Sequence, residues 1–426
     1  MASLSRQVCS TYSTRHHTEG LCVPNAISAQ TIRNPDPVAL IADTKVLLYR
    51  DLDCQSNRLA HRLRKLGVGA DVLVGLCLPR SLDWVVAALG IWKAGGAYVP
   101  LDLSYPPERL AFMLKDAQVP VLVTCDASAQ GLPDIGAEVL DMNAPEVAGC
   151  PEYLPRVDIL RGDLASVIHT SGHTGTPTGV EITHAGLANL VSWHRRAFCV
   201  TPADRAGHVT GLGLDAMMWE LWPYLAAGAS VYVADEVTRS SPEILRDWLV
   251  AKGITVSFAP TLLAERMLFL EWPPETALRI LLTGGDTLYH YPPAGLPFAL
   301  VNHYGPAECT RVATSGAVIP ETRGAMPPPI GTPIANTRIY LLDEQLKEVP
   351  ASAPGEIHIE SPGLARGYRN RPDLTAEKFI PNPFCREPGS RLYKTGDLAH
   401  RLPDGQIALL GRIDDAIDIR GSGIQP

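Results

Sequence analysis

Short apolar runs alternate with helical patterns in the first part of this chain, and this alternation constrains its fold more than any other feature. Residues 72–78 and 120–124 are typical of buried strands, and residues 56–66 and 82–94 beside them carry helical patterns. Strands that alternate with helices form a parallel sheet whose faces the helices cover. The first part of the chain is therefore predicted to be an α/β unit with a parallel sheet.

The alternation returns further along the chain and then gives way to a different pattern. Apolar runs at residues 230–234 and 254–258, with helices before and between them, predict a second α/β unit. After about residue 323, proline and glycine become frequent and helical patterns become sparse. Residues 337–342, 355–360 and 407–410 are typical of antiparallel strands, so a small β unit is expected there.

Composition excludes several classes of protein. With 426 residues, of which 46% are hydrophobic and 19% charged, the chain is expected to be a soluble globular protein of two or three packed units. A net charge of −8 and the lack of a Lys/Arg run argue against a nucleic-acid partner. No segment offers about 18 uninterrupted apolar residues and the amino terminus lacks a signal-peptide core, so no membrane partner is expected. Nine scattered cysteines without a Cys-x-x-Cys pair fit reduced thiols, and we predict a cytoplasmic protein.

The clearest functional signal is residues 166–179 (SVIHTSGHTGTPTG), in which an apolar strand-like run leads into a loop of Gly, Ser and Thr. Glycines let backbone N–H groups approach an anion closely, and hydroxyl groups add further donors. The loop is therefore a candidate phosphate site, although a plain turn has a similar composition. The Gly-Lys-Ser/Thr ending of a P-loop is absent. The candidate phosphate contacts are Thr170, Ser171, Gly172, His173, Thr174 and Gly175.

Further motifs follow in a fixed order, and together they resemble a known family. They are residues 92–102 (WKAGGAYVPLD), 302–308 (NHYGPAE), 363–368 (GLARGY), 393–397 (YKTGD) and 411–414 (GRID). With the Gly/Ser/Thr loop, they make the chain similar, from about residue 22 to its end, to the adenylation domain of nonribosomal peptide synthetases. Such domains belong to the acyl-adenylate-forming superfamily, which includes acyl-CoA synthetases and luciferases. One match of this kind would be weak, but this many in the family's order leave little room for chance.

The resemblance implies that the chain binds ATP, Mg²⁺ and an amino acid, forms aminoacyl-AMP and pyrophosphate, and serves a carrier protein with a phosphopantetheine arm. Glu308 matches the magnesium ligand of the family. A carboxylate suits this role, because a hard cation on phosphate oxygens requires an anionic oxygen ligand. Tyr304 matches the residue that stacks on adenine, Asp397 the acceptor of both ribose hydroxyls, and Arg412 the neighbouring ribose contact. Outside this family, these residues would be a solvated glutamate, a half-buried tyrosine and members of a surface ion pair. The implied catalytic residues are Glu308, Thr174 and Thr170, and Asn302 and Ala307 complete the nucleotide site.

The same resemblance assigns an amino-acid pocket. Asp215 matches the aspartate that pairs with the α-ammonium group of the substrate, a charge-assisted contact that is strong in a desolvated site. Taken alone, it could be a helix cap. The matching lining residues are Ala216, Trp219, Phe258, Leu282, Gly284, His303, Arg311 and Val312. The first five of these, with Asp215, resemble pockets for leucine-like substrates, in which one small position leaves room for a branched side chain.

The chain departs from the family's pattern at several predicted ligand contacts. Thr178 stands where the loop of the family has a lysine, which removes a cation near the phosphates, and His173 stands where Ser or Thr is usual. His169 replaces Tyr or Phe, and Ala307 replaces a threonine whose loss should weaken transition-state contacts by about 1 kcal/mol or more. Arg311 is unusual in an apolar pocket, where an unpaired guanidinium is costly. It must find an anionic partner or turn out to water.

The resemblance also implies an organisation for the whole chain. The predicted fold class is α/β, with two parallel-sheet subdomains in a layered αβαβα arrangement and a small β-barrel-like subdomain. We expect a linker or leader at residues 1–24, the two α/β subdomains with both sites at 25–322, the β subdomain at 323–412 and a hinge stub at 413–426. Asp414 matches the hinge aspartate, after which the family continues into a mobile subdomain that carries a catalytic lysine. We expect the chain to be an adenylation core without that subdomain.

Three hypotheses about function remain open at this stage. The first is an enzyme core that forms aminoacyl-AMP slowly, because the positioning lysine is missing and the phosphate loop is altered. The second is a non-catalytic or repurposed binding module of the same fold, in which the loop and Arg311 hold a different ligand, for example an acidic one. The third is a relative of acyl-CoA synthetases. It is the weakest of the three, because Asp215 suits a substrate with an ammonium group better than a plain carboxylic acid.

Overall fold

The structure is a computed structural model that describes residues 22–125, 136–171, 177–320 and 326–413. Its helices are α1 (Val23–Arg33), α2 (Tyr49–Lys65), α3 (Leu82–Lys93), α4 (Pro107–Ala117), α5 (Pro145–Ala148), α6 (His184–Ala197), α7 (Ala216–Leu225), α8 (Pro242–Ala251), α9 (Thr261–Leu268) and α10 (Pro372–Lys378). Its strands are β1 (Val38–Ala42), β2 (Lys45–Leu48), β3 (Leu73–Cys77), β4 (Ala97–Pro100), β5 (Val121–Thr124), β6 (Glu138–Asp141), β7 (Leu164–Ser171), β8 (Pro177–Thr183), β9 (Arg205–His208), β10 (Ser230–Val233), β11 (Val256–Pro260), β12 (Ile280–Gly284), β13 (Ala299–Tyr304), β14 (Thr314–Val318), β15 (Thr332–Pro333), β16 (Arg338–Leu342), β17 (Gly355–Glu360), β18 (Phe379–Pro381), β19 (Arg391–Arg401) and β20 (Ile407–Arg412). None of the helices in these ranges is long and apolar enough to cross a membrane.

The first sheet holds six strands in the order β6, β5, β3, β4, β7 and β8. Neighbouring strands run parallel except β8, which is antiparallel to β7. Strands β3, β4 and β5 are buried along their whole length, as expected for a parallel sheet covered on both faces. The predicted strands and helices of this unit are confirmed. Helix α2 extends further toward the amino terminus than predicted, because Asp51 accepts a hydrogen bond from the Leu48 N–H at 3.3 Å and caps its first turn.

The second sheet holds nine strands in the order β15, β14, β13, β12, β11, β9, β10, β1 and β2. Its centre, from β13 to β1, is parallel. Antiparallel strands form both edges, with β2 beside β1 and with β14 and β15 beyond β13. The predicted strands at residues 230–234 and 254–258 are β10 and β11, so the second α/β unit is confirmed.

The third sheet is antiparallel, with the order β16, β17, β19 and β18, and β20 also pairs with the long strand β19. Strands β16, β17 and β20 are the three strands that the sequence predicts in this part of the chain. Within the described residues the five strands do not close into a barrel. The α/β fold class with two parallel sheets and a smaller β unit is therefore confirmed, and the β unit is an open sheet.

The carboxyl ends of three neighbouring parallel strands lie side by side in the second sheet. Pro260 of β11 pairs with Gly284 of β12, and Gly284 pairs with His303 of β13. Open α/β sheets bind their ligands beyond this end of the strands. A Cβ atom at Gly284 would lie 2.3 Å from the His303 carbonyl oxygen, so only glycine allows this close approach of the two strands. The fold thus presents the residues after β11, β12 and β13 at one place.

Large aromatic side chains join the two parallel sheets in one core. The ring of Trp92 on α3 lies 4.4 Å from that of Trp222 on α7 and 5.4 Å from that of Tyr98 on β4. Trp92 Nε1 also donates to the Ala165 carbonyl on β7 at 2.7 Å. Buried aromatic pairs of this kind add stability beyond the area that they bury. The position of α7 relative to the first sheet is therefore fixed by packing.

Lys93, at the end of α3, is fully buried against α2. Its Nζ donates to Asp53 Oδ1 at 2.7 Å, to Ser56 Oγ at 2.8 Å and to Asn57 Oδ1 at 2.8 Å. Burial lowers the pKa of Lys93 to about 8, and the charge of Asp53 opposes this shift. Since these bonds use all three ammonium protons, the cluster holds the two helices in one relative position.

Replacing Lys93 by methionine is expected to lower the free energy of unfolding by about 3 to 5 kcal/mol, because Asp53 and the polar groups of α2 lose their buried partner. Lys65→Met, at an exposed position of helix α2, should change it by less than about 0.5 kcal/mol. Urea unfolding followed by circular dichroism compares the two variants. Equal stability of both would show that the Lys93 cluster does not stabilise the packing of α2 on α3.

Candidate active site

A carboxylate lies where the second and third sheets meet. Asp397 on β19 accepts a hydrogen bond from Tyr304 Oη at 2.5 Å and one from Arg412 Nη1 at 2.9 Å. Tyr304 is the last residue of β13 and Arg412 the last of β20, so three strands supply this group. Burial raises the pKa of Asp397 above its ordinary value, although the Tyr304 hydroxyl and the Arg412 charge act in the opposite direction. The structure thus brings together the three residues expected to contact adenine and ribose.

Asn302, two residues before Tyr304, offers an acceptor that suits an adenine amino group. Its Nδ2 donates to the Pro329 carbonyl at 3.1 Å, whereas its Oδ1 is buried and has no hydrogen-bond partner among the described residues. A buried acceptor without a partner is costly, so a donor on a ligand would stabilise this position. Ala307 begins the following 3₁₀ turn and is buried, and its side chain offers only a methyl group there.

Glu308 lies in that 3₁₀ turn and is oriented by a tyrosine. Tyr368 Oη donates to Glu308 Oε1 at 2.7 Å, and Tyr393 Oη lies 3.3 Å from Tyr368 Oη. Burial, and then the neighbouring Glu308 charge, raise the pKa of Tyr368, so its hydroxyl remains a donor at neutral pH. The Ala365 N–H donates a hydrogen bond to the main-chain carbonyl of Glu308 at 2.7 Å and so fixes the backbone there. A carboxylate that one donor orients through one oxygen is suited to offer the other to a hard cation such as Mg²⁺.

The stem of the predicted phosphate loop is the β7–β8 ladder. Thr170 pairs with Thr178 in this ladder, and Ser171 pairs with Pro177. The Arg369 N–H donates to the Gly179 carbonyl at 2.7 Å, and the neighbouring residue Tyr368 forms an isolated bridge with Val180. Because Tyr368 also orients Glu308, the stem and the candidate metal ligand belong to one connected structure.

The residues that depart from the family's pattern in this stem are buried. Thr178, where the family has a lysine, is only 9% exposed. His169 is also buried, and its Nε2 lies 2.9 Å from Asp116 Oδ2. The remaining predicted loop contacts and the predicted hinge residue lie outside the described residues; they are Gly172, His173, Thr174, Gly175 and Asp414.

The predicted pocket residues are brought together at the start of α7 and the ends of β11 to β13. The ring of Trp219 lies 5.4 Å from that of Phe258 and 4.7 Å from that of His303. Leu282 pairs with Phe258 in the β11–β12 ladder, and Gly284 pairs with His303 in the next one. Two further predicted lining residues, Ala216 and Val312, are also buried.

Asp215 immediately precedes α7, at the position of an N-cap. Its side chain makes no capping hydrogen bond to the helix, so capping is not what this carboxylate does. The Asp215 side chain is 12% exposed and faces Arg311, whose Nη1 lies 3.5 Å from Asp215 Oδ1. Arg311 Nη2 donates to the Gly284 carbonyl at 3.3 Å, and its Cζ lies 5.3 Å from the centre of the Phe258 ring. Of the two outcomes expected for Arg311, the structure shows the anionic partner.

His303 is a neutral member of the pocket. Burial lowers its pKa to about 3, and the nearby Arg311 charge acts in the same direction. Its Nδ1 lies 3.1 Å from the Thr283 carbonyl and its Nε2 3.1 Å from Ser315 Oγ. A carbonyl only accepts, so Nδ1 carries the proton and Nε2 accepts from Ser315. The imidazole therefore adds polarity but no charge to the pocket.

A buried polar network beside the segment that leads into α7 was missed by the sequence analysis. Glu220 on α7 accepts hydrogen bonds from the Val209 N–H at 3.1 Å and from the Thr210 N–H at 2.9 Å. Arg80 donates to the Thr210 carbonyl, and its Nη1 lies 3.0 Å from His208 Nδ1. These contacts tie the end of β9 to α7, and so they help to position the loop that carries Asp215, the predicted contact of the α-ammonium group.

A signal for this network was present in the sequence. Glu220 interrupts α7 (AMMWELWPYL), whose other residues are apolar or aromatic and buried. A carboxylate enclosed by such a helix needs buried partners. Burial raises the pKa of Glu220 to about 7, while the Thr210 N–H and the Arg80 charge oppose this effect.

The chain has clear similarities to known proteins. The model of one protein family, described as AMP-binding enzyme, matches residues 27–369. The chain is 50% identical over 407 residues to one of the linear gramicidin synthase proteins of Brevibacillus parabrevis, and 43% identical over 414 residues to bacitracin synthase 1 of Bacillus licheniformis. These matches cover 95% and 96% of this chain, but only 5% and 8% of the two relatives. The chain therefore corresponds to a small part of each relative.

Solved structures of related proteins share this fold. The nonribosomal peptide synthetase FmoA3, bound to alpha-methyl-L-serine-AMP, matches with a TM-score of 0.87 and 31% identity, over 97% of this chain and 47% of that one. An artificially fused adenylation–PCP di-domain from Klebsiella oxytoca, NpsA-ThdA, matches with a TM-score of 0.80 and 24% identity, over 92% of this chain and 79% of that one. At the lower identity, the likeness supports the fold alone.

The buried Glu220 makes the stability of the protein depend on pH. Its pKa of about 7 lies above the ordinary value of 4.5, so the folded state binds more protons than the unfolded state between these values. The contribution of Glu220 is therefore fully present below pH 4.5 and is lost as the pH rises through 7, by up to about 3 kcal/mol. Glu220→Gln cannot ionise and should flatten this decline, whereas Glu275→Gln, at an exposed position, should not. Unfolding free energies between about pH 5 and 8.5 measure the slopes, and identical slopes for both variants would contradict this assignment.

Proposed function

Because the chain belongs to the AMP-binding enzyme family, we propose that it activates a hydrophobic, leucine-like amino acid by adenylation with ATP and Mg²⁺. In this reaction a carboxylate oxygen of the amino acid attacks the α-phosphorus of ATP, and the bond to pyrophosphate breaks. The products are aminoacyl-AMP and pyrophosphate. The observation that carries the proposal is the Asp397, Tyr304 and Arg412 group, whose Tyr304 lies on strand β13 next to the predicted pocket residues, which begin with Asp215.

The nucleotide half of the proposal rests on donors and acceptors that match an adenosine phosphate. The unpartnered Asn302 Oδ1 would accept from the adenine amino group, and Asp397 would accept from the ribose hydroxyls. Tyr304, held in place by Asp397, would lie against the base. Glu308 would hold Mg²⁺, which when bound neutralises charge on the phosphate oxygens. Tyr368 keeps the Glu308 carboxylate in one orientation.

The amino-acid half rests on one carboxylate and an apolar lining. Asp215 would accept the α-ammonium group, since a nearly buried carboxylate forms a strong charge-assisted contact with a cation. Trp219, Phe258 and Leu282 are buried and would surround an apolar side chain. His303 stays neutral because its pKa is about 3, so it does not call for an anionic substrate.

The partner of the product is also part of the proposal. The relatives include a linear gramicidin synthase protein and bacitracin synthase 1, and one similar structure is a fused adenylation–PCP di-domain. We therefore infer that the aminoacyl group passes to a carrier protein with a phosphopantetheine arm, in a cytoplasmic assembly. The second hypothesis, a non-catalytic or repurposed binding module, is not favoured, because the described part of the chain retains matching residues for both ligands.

The direct test is amino-acid-dependent ATP–pyrophosphate exchange with Mg²⁺, measured for the twenty amino acids. We expect the fastest exchange with leucine or a closely related branched amino acid, because Trp219, Phe258 and Leu282 make the predicted lining apolar. Nucleotide binding without exchange for any amino acid would contradict catalysis. Exchange that is fastest with a charged amino acid would contradict the proposed substrate class.

Two substitutions should separate the two halves of the site. Asp215→Ala is expected to weaken amino-acid binding by about 2 to 5 kcal/mol and to leave ATP binding nearly unchanged, because the ammonium group loses its buried partner. Asp397→Asn should weaken ATP binding by about 1.5 to 3 kcal/mol, because the ribose hydroxyls lose a charged acceptor. Calorimetric titration with each ligand measures both effects, and each variant serves as the control for the other. Equal loss of both ligands in Asp215→Ala would show that the pocket has been misplaced.

A further inference from the structure

We propose that Arg311 is a specificity-determining residue whose guanidinium occupies the place of the substrate's α-ammonium group at Asp215, so that substrate and side chain compete for one carboxylate. The inference rests on the proposed function and goes beyond it, because it concerns an internal competitor of the substrate. The resemblance places Arg311 in the pocket lining, although a charged side chain is unusual in an apolar pocket.

The guanidinium of Arg311 lies against Asp215 in nearly buried surroundings. Its Nη1 lies 3.5 Å from Asp215 Oδ1, and the two side chains are only 13% and 12% exposed. Its other contacts are the Gly284 carbonyl at 3.3 Å and the ring of Phe258, with Cζ 5.3 Å from the ring centre. Asp215, Gly284 and Phe258 are all predicted pocket residues. The guanidinium therefore lies inside the space that an amino acid would enter.

The charge of Asp215 already faces the charge of Arg311. An α-ammonium group that pairs with this carboxylate must come within hydrogen-bond distance of it. It would then lie a few ångströms from the guanidinium in a largely desolvated space, where like charges repel strongly. In the proposed reaction the carboxylate of the amino acid is directed to the α-phosphorus of ATP, which leaves Asp215 alone to face both cations. One carboxylate cannot neutralise two neighbouring cations, so an amino acid and the inward position of Arg311 exclude each other.

The side chain of Arg311 can leave Asp215, although the main chain at Arg311 is fixed. Thr310 and Arg311 both have left-handed backbone angles, with φ of 54° and 76°. Two hydrogen bonds fix this turn. Thr310 Oγ1 donates to the Gly363 carbonyl at 2.6 Å, and the Ala313 N–H donates to the Tyr304 carbonyl at 2.8 Å. The hydrogen bonds of the guanidinium, at 3.5 Å and 3.3 Å, are much longer than these and correspondingly weak.

Arg311 thus has an inward position that closes the ammonium site and an outward position that opens it. The apparent affinity for an amino acid is reduced by the fraction of molecules in the open position. A ligand that lacks the ammonium group does not need Asp215 and does not meet this competition. Discrimination between an amino acid and the corresponding plain acid should therefore depend on the charge at residue 311.

The test compares two ligands in three proteins by calorimetry, with the nonhydrolysable analogue AMPPNP and Mg²⁺ present. The ligands are leucine and isocaproate, which is leucine without its amino group. The proteins are the wild type, Arg311→Met, which keeps the length but removes the charge, and Arg311→Lys, which keeps a cation. We expect Arg311→Met to bind leucine about tenfold more tightly or better, Arg311→Lys to gain at most about threefold, and isocaproate to change by less than about twofold.

Unchanged AMPPNP affinity shows that each variant is folded, and Arg311→Gln replaces Arg311→Met where that variant fails this control. An equal gain for leucine and isocaproate would show that Arg311 only fills space, and no gain for leucine would show that it does not compete. Weaker leucine binding in Arg311→Met would mean that Arg311 holds the substrate. These outcomes overturn the inference while leaving the proposed adenylation intact. If the wild type and Arg311→Met bind AMPPNP but no amino acid, both the proposed function and the inference fail.

Discussion

The close approach of β12 and β13 at Gly284 is the constraint on which the rest of the site depends. Because no side chain separates the two strands there, the Gly284 and His303 main chains pair in register. The ladder between β11 and β12 places Phe258 beside Leu282, and the close approach of β12 to β13 leaves the Gly284 carbonyl within reach of Arg311. The missing Cβ atom at Gly284 therefore allows the strand approach that sets this polar group at the edge of the predicted pocket.

The sequence predicts most of the fold, because buried strands and amphipathic helices leave regular patterns, and the order of motifs identified the family that the comparisons then confirmed. Long-range polar contacts leave no such pattern. The Lys93 cluster joins two helices, and the Glu220 network joins a helix to the end of β9. The residues in each of these contacts belong to different parts of the fold, so the periodicity of a helix or a strand does not predict which residues pair. The roles of the individual site residues remain predictions, and those of Gly172 to Gly175 concern residues outside the described part of the chain.

The nearly buried charge of Arg311 explains why matching motifs alone do not identify the substrate. A side chain of Arg311's length can point into the pocket or out to water, and only its surroundings decide between these positions. Here Asp215, the Gly284 carbonyl and the face of Phe258 all favour the inward position. The resemblance assigns Arg311 to the pocket lining. It does not show that the guanidinium is paired with Asp215, the carboxylate expected to bind the substrate.

The two halves of the proposed site are linked because one strand supplies both. Successive side chains of a strand point to opposite faces, so Asn302 and Tyr304 lie on the side of Asp397 while His303 lies on the side of Trp219. The turn that follows carries Glu308, and Arg311 comes three residues later on a backbone that Thr310 fixes. A movement of the Arg311 side chain can therefore open the ammonium site without moving Glu308. In this arrangement a substitution at residue 311 alters the choice of substrate and leaves the groups for the nucleotide in place.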